Sequence, residues 1–92
     1  LKRAGCTEII SLSAVGSLKE HLPPGHFVIV DQFIDRTFAR PKTFFEAGCV
    51  AHVSMAHPVC PRLGDALEAA ARGLSLPVTR GAVSTCILVD WK

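Results

Sequence analysis

The breaker Pro23-Pro24-Gly25, followed almost at once by Phe27-Val28-Ile29-Val30-Asp31, constrains this chain more than any other feature. A continuous run of β-branched and aromatic residues predicts a strand covered on both faces, central in a sheet. Pro77 to Val83 reads as another strand, and Thr7 to Leu12 (carrying Ile9 and Ile10) and Val50 to Met55 read as two more. Between them, Leu63, Leu67 and Ala70 or Ala71 recur at helical spacing from Pro61 to Arg72, until Gly73 stops the pattern. Strands interleaved with a helix predict an α/β fold on a mixed or parallel β-sheet with flanking helices, since a parallel crossover needs roughly a dozen residues. Gln32 to Lys42 follows neither period and reads as a loop, although Phe33, Ile34 and Phe38 give it apolar groups that must pack somewhere.

Ninety-two residues make at most one domain, and a chain of this size buries only roughly 60–65% of its unfolded surface, so its core is expected to be thin. The net charge of +2 comes from scattered side chains, leaving no basic stripe for nucleic acid. Apolar runs such as Phe27 to Val30 and Cys86 to Val89 are strand-sized, far short of the roughly 20 residues a bilayer requires. No basic and apolar leader opens the chain, and a cytoplasmic location is expected. Leu1 to Gly5 reads as the last turn of a helix, with basic Lys2 and Arg3 before Gly5 at the C′ position, so the chain is expected to be an internal piece of something longer. Cys6, Cys49, Cys60 and Cys86 form no CxxC pair and read as reduced, mostly buried thiols.

Among groups that carry chemistry, Ser13-Ala14-Val15-Gly16-Ser17 comes just past an expected strand end, where α/β folds place ligands. Its amide N–H groups and the Ser13 and Ser17 hydroxyls suit an anion, though a tight turn needs small residues for steric reasons alone. His52 shares a strand face with Val50 and Ser54 by alternation. Cys49-x2-His52 with His57-x2-Cys60 has zinc-like spacing, but residues three apart in a strand face opposite ways, so no metal site is assigned. Asp31, Asp35, Glu46, Asp65 and Glu68 offer no close pair for acid–base work except Asp65 and Glu68, which read as a solvated helix face. Arg36, Arg40 and Lys42 suit steering of an anionic substrate or surface salt links.

Two longer motifs complete the picture: Gly25-His26-Phe27-Val28-Ile29-Val30-Asp31-Gln32-Phe33-Ile34-Asp35-Arg36-Thr37, and Ala51-His52-Val53-Ser54-Met55-Ala56-His57-Pro58-Val59-Cys60-Pro61. With the loop Ser13 to Leu18 before them, they closely resemble the methylthioadenosine phosphorylase family, in its bacterial type, over residues 1–81. The resemblance implies a partial nucleoside phosphorylase fold and a homotrimer whose sites draw on two neighbouring subunits. It implies phosphorolysis of 5′-methylthioadenosine to adenine and 5-methylthioribose 1-phosphate, with inorganic phosphate as co-substrate and no cofactor. By the same resemblance Ser13 and Ala14 bind phosphate, through a hydroxyl and a backbone N–H. His52 reaches the adjacent subunit's site and packs beside the methylthio group, and Asp31 to Thr37 lies near a subunit contact.

The family's Gly-rich phosphate loop and Arg-His pair have no counterpart upstream. Its Glu-Gly-Pro-x-Phe segment and adenine-binding aspartates have none downstream. Residues 82–92 read instead as a divergent tail, the product of a frameshift or early stop. No catalytic residue is therefore assigned, and these residues alone are expected to be inactive. Methylthioinosine or another purine nucleoside remains an alternative substrate, because the residues that choose the base are missing. From a different class, a small zinc-stabilised interaction module built on Cys49, His52, His57 and Cys60 is the other reading.

Overall fold

The computed structural model describes residues 1–39, 41, 43–45 and 47–86, the last two as backbone alone. The expectations for Arg40, Lys42, Glu46, the Cys86 thiol and the tail from Ile87 onward fall outside the described residues. A short 3-10 turn at Lys2–Ala4 opens the chain, and Gly5 closes it at φ 82, the left-handed helix end that its position implied. Strand β1 spans Phe27–Asp35, helix α1 spans Pro61–Gly73 and strand β2 spans Val78–Cys86.

Each element begins on local chemistry. Pro24 and Gly25, the latter at φ 87, take the central positions of a turn closed by the His26 N–H on the Pro23 carbonyl at 3.2 Å. Proline followed by a residue at positive φ is what a type II turn asks for. It delivers the chain into β1, whose first N–H, on Phe27, donates to the Pro77 carbonyl at 2.9 Å. Helix α1 starts with Pro61 in its first turn after an extended Cys60, a place where the missing proline N–H costs no helical bond. At its far end Gly73 is the last helical residue rather than the stop expected of it. The left-handed position falls on Ser75 at φ 56, and the N–H groups of Leu74, Ser75 and Leu76 donate to the carbonyls of Ala70, Arg72 and Ala71.

β1 and β2 pair in parallel, with α1 in the connection between them, which is the α/β crossover read from the sequence. The register runs Phe27 with Val78 and Ile29 with Arg80, then Val30 with Ala82, then Gln32 with Val83 through Asp35 with Cys86. Gly81 is thus an extra residue on β2 and Asp31 an extra residue on β1: two adjacent bulges that cancel.

Several expectations are corrected. β1 continues through Asp35, so Phe33 and Ile34 belong to a strand and not to a loop. Nor is β1 covered on both faces: Phe27 and Ile34 are exposed, and Val28 to Val30 with Phe33 are half-buried. Thr7 to Leu12 and Val50 to Met55 carry no strand, because a strand needs a partner ladder and among the described residues none runs beside them. Two strands and one helix also bury little; among the described residues only Gly64 is buried. Cys6, Cys49 and Cys60 are therefore exposed thiols instead of buried ones. No helix among the described residues is long and apolar enough to cross a membrane.

Candidate phosphate and nucleoside site

Thr7 to Leu12 lies alongside the apolar face of α1 and the inner residues of β1, and the three line an open groove of about 840 Å³. Leu63, Leu67, Ala70 and Ala71 line it from the helix and Val28 to Val30 from the strand, so the helical spacing read in the sequence does mark the inward face. The small-residue loop follows directly on this lining. Ser13 and Ala14 are exposed there. Ser17 is engaged locally: its hydroxyl donates to the Lys19 carbonyl at 3.0 Å and accepts the Lys19 N–H at 3.1 Å, folding the loop back on itself.

His52 sits in an exposed, irregular segment. What fastens this segment is Gln32, whose Nε2 donates to the Met55 carbonyl at 3.0 Å and approaches that of Ala56 at 3.5 Å. The structure does not gather Cys49, His52, His57 and Cys60 around one point. Among the described residues no group of three or more His, Cys, Asp or Glu side chains could hold a metal ion.

A second grouping escaped the sequence reading. Arg80 of β2 reaches across to α1, where its guanidinium bonds the Asp65 carboxylate and donates to the Pro61 carbonyl at 3.2 Å. It also lies 3.6 Å from Asp31 of β1 and 3.7 Å from Glu68. Its ionised form is reinforced by the Asp65 hydrogen bond, and further by the charges of Asp65, Asp31 and Glu68, against the cost of its partial burial. Glu68 is held below the ordinary carboxylate range, first by its bond to Arg72 one turn on, at 2.6 Å, and then by the charges of Arg72 and Arg80. So Asp65 and Glu68 are ion-paired rather than simply solvated. Around Arg80 lies a smaller cavity of about 190 Å³ that His57 and Cys60 also line. No spacing in the sequence announces this cluster, since its members lie up to 49 positions apart.

Comparison with known proteins places this geometry in context. The family described as Phosphorylase superfamily matches residues 1–87. The chain belongs to the phosphorylase superfamily, and its β1-α1-β2 unit is part of that α/β fold. Relatives include the S-methyl-5′-thioadenosine phosphorylase of Rhodospirillum rubrum, 64% identical over 87 residues, and that of Bradyrhizobium diazoefficiens, 60% identical over the same length; each match covers 95% of this chain and 30% of the relative. The protein of the same description from Pyrococcus horikoshii is 47% identical, with 95% of this chain and 34% of the relative covered. The chain thus spans about a third of the length of the curated relatives it matches.

Proposed function

We propose that this chain is the part of an S-methyl-5′-thioadenosine phosphorylase that carries one phosphate-gripping loop and the arm bearing His52. One observation carries the reading: relatives of that description are 64% and 60% identical over matches covering 95% of this chain, a span that takes in the small-residue loop and both motifs. In the reaction, a phosphate oxygen attacks the anomeric carbon of the methylthioribose. The bond from that carbon to adenine breaks, and its electron pair leaves with the base, which then takes up a proton. Charge develops on the sugar as the glycosidic bond opens, so catalysis rests on holding the phosphate dianion in line and stabilising that charge.

The Ser13 hydroxyl and the Ala14 N–H hold the phosphate. His52 presents an imidazole with an apolar body beside the methylthio group in a neighbouring subunit of a homotrimer. Phosphate is a co-substrate, and no cofactor, nucleic acid or membrane is involved; the setting is the cytoplasm. The group that protonates adenine is not among these residues, and we expect no turnover from the 92-residue chain by itself.

A chimera tests this directly. Residues 1–87 of this chain replace the matching 87 residues of the Rhodospirillum rubrum protein, and phosphate-dependent release of base is followed with methylthioadenosine and methylthioinosine. Adenine release near the parent rate supports the proposal. A folded trimer without turnover on methylthioadenosine would falsify it, and a preference for methylthioinosine would redirect it to the other base.

A further inference from the structure

We infer that Gln32 is a positioning residue for nucleoside selectivity, acting as a strut from the sheet to the arm that bears His52. The inference rests on the proposed role of His52 beside the methylthio group. Gln32 is half-buried in β1 and paired with Val83, just past the bulge at Asp31. Its Oε1 accepts the N–H of Phe33 at 2.9 Å. That bond fixes which end of the amide faces outward, so Nε2 is the end presented to the Met55 and Ala56 carbonyls, 3.0 and 3.5 Å away.

Met55 is three residues beyond His52, and among the described residues every hydrogen bond tying 50–56 to a strand or helix comes from this one amide. The rest of the segment is held only by its own turn, with the Ala56 N–H on the Ser54 hydroxyl at 3.4 Å. Such an exposed stretch has many conformations open to it, and an anchor on a paired strand restricts them. A side chain placed by a segment so lightly held depends on that anchor for its position. Gln32 meets both demands because it accepts at one end and donates at the other; glutamate of the same shape keeps the first bond and loses the second.

The test is a double-mutant cycle in the chimera, read as kcat/KM for methylthioadenosine relative to adenosine, which has a hydroxyl where the methylthio group stands. His52→Ala should lower this ratio. Gln32→Glu should lower it by roughly five- to tenfold, through KM more than kcat, as expected for one lost hydrogen bond. Gln32→Met, which keeps the shape and carries no charge, should do the same and decides the matter if the glutamate variant does not fold. The double variant should fall within about twofold of His52→Ala alone. If His52→Ala leaves the ratio unchanged, the role given to His52 fails and the strut fails with it. If His52→Ala acts while the Gln32 variants do nothing, or add their full effect on top, the strut alone is overturned.

Discussion

The Arg80 guanidinium lies against the backbone of Gly64: a Cβ placed on Gly64 would stand 3.0 Å from Nη2 and 3.2 Å from Cζ. Glycine in a helix interior ordinarily costs about 1 kcal/mol relative to alanine. Here it lets a cation from β2 sit flat on the first turn of α1 and reach the Pro61 carbonyl and Asp65 together. Gly64→Ala should therefore destabilise the chain, because Arg80, tied to both of these partners, must shift by a few tenths of an ångström to clear the new methyl and so strains those bonds. In an Arg80→Ala background the sign should reverse, and the same substitution should stabilise by about 0.8–1 kcal/mol from helix propensity alone. Urea titration of the four chains reads this reversal.

Acid should weaken the same region. Glu68 has its folded pKa depressed below the ordinary value of 4.5 by Arg72 and Arg80. Its contribution is therefore complete above that ordinary value and is lost as pH falls through the lower folded one. Melting temperature should drop on acidification below about pH 4.5, and Glu68→Gln should flatten that limb while leaving the neutral-pH slope unchanged. Because Glu68 and Arg72 meet near the surface, added salt should shrink the effect.

At Gly81 the backbone sits at φ 90, and an added Cβ would meet the Asp31 carboxylate at an ordinary 3.6 Å. The expected cost of Gly81→Ala is then conformational, about 1–2 kcal/mol for placing a side chain in the left-handed region. Removing the neighbour with Asp31→Ala should not recover it, as a denaturation series would reveal.

The phosphate role proposed for the loop at Ser13 makes its own kinetic prediction. In the chimera, Ser13→Ala should raise KM for phosphate roughly ten- to a hundredfold, in keeping with one lost hydrogen bond to an ion, and leave KM for the nucleoside nearly unchanged. An equal rise in both constants would point to a disturbed groove lining at Thr7 to Leu12 in place of a lost phosphate contact.

The parts of this molecule legible in its sequence are those decided within a few residues. Pro61 in the first turn and the spacing of Leu63, Leu67 and Ala70 define α1 without outside help. The run Phe27 to Asp31 likewise marks the first half of β1, and the turn before it follows from proline and glycine alone. Thr7 to Leu12 and Val50 to Met55 have the composition of strands, but pairing is a property of two segments, and composition says nothing of whether a partner is present. The extension of β1 through Gln32 to Asp35 is decided the same way, by β2 running beside it. At the candidate site, the loop beginning at Ser13 stands out in the sequence by its small residues. Gln32 does not, because its partners are carbonyl oxygens, which every residue has. Arg80 is hidden for a related reason: Asp31, Asp65 and Glu68 come together only once β2 lies next to β1 with α1 packed over them.

The paired slips at Asp31 and Gly81 make these two positions interdependent in descent. Losing either one by deletion would turn every later side chain of its strand to the opposite face, carrying Gln32 or Val83 off its partner. Losing both would restore the alignment at a stroke. Lineages should accordingly keep or discard the two residues together, and a homologue lacking only one of them would need a compensating insertion elsewhere in the same ladder.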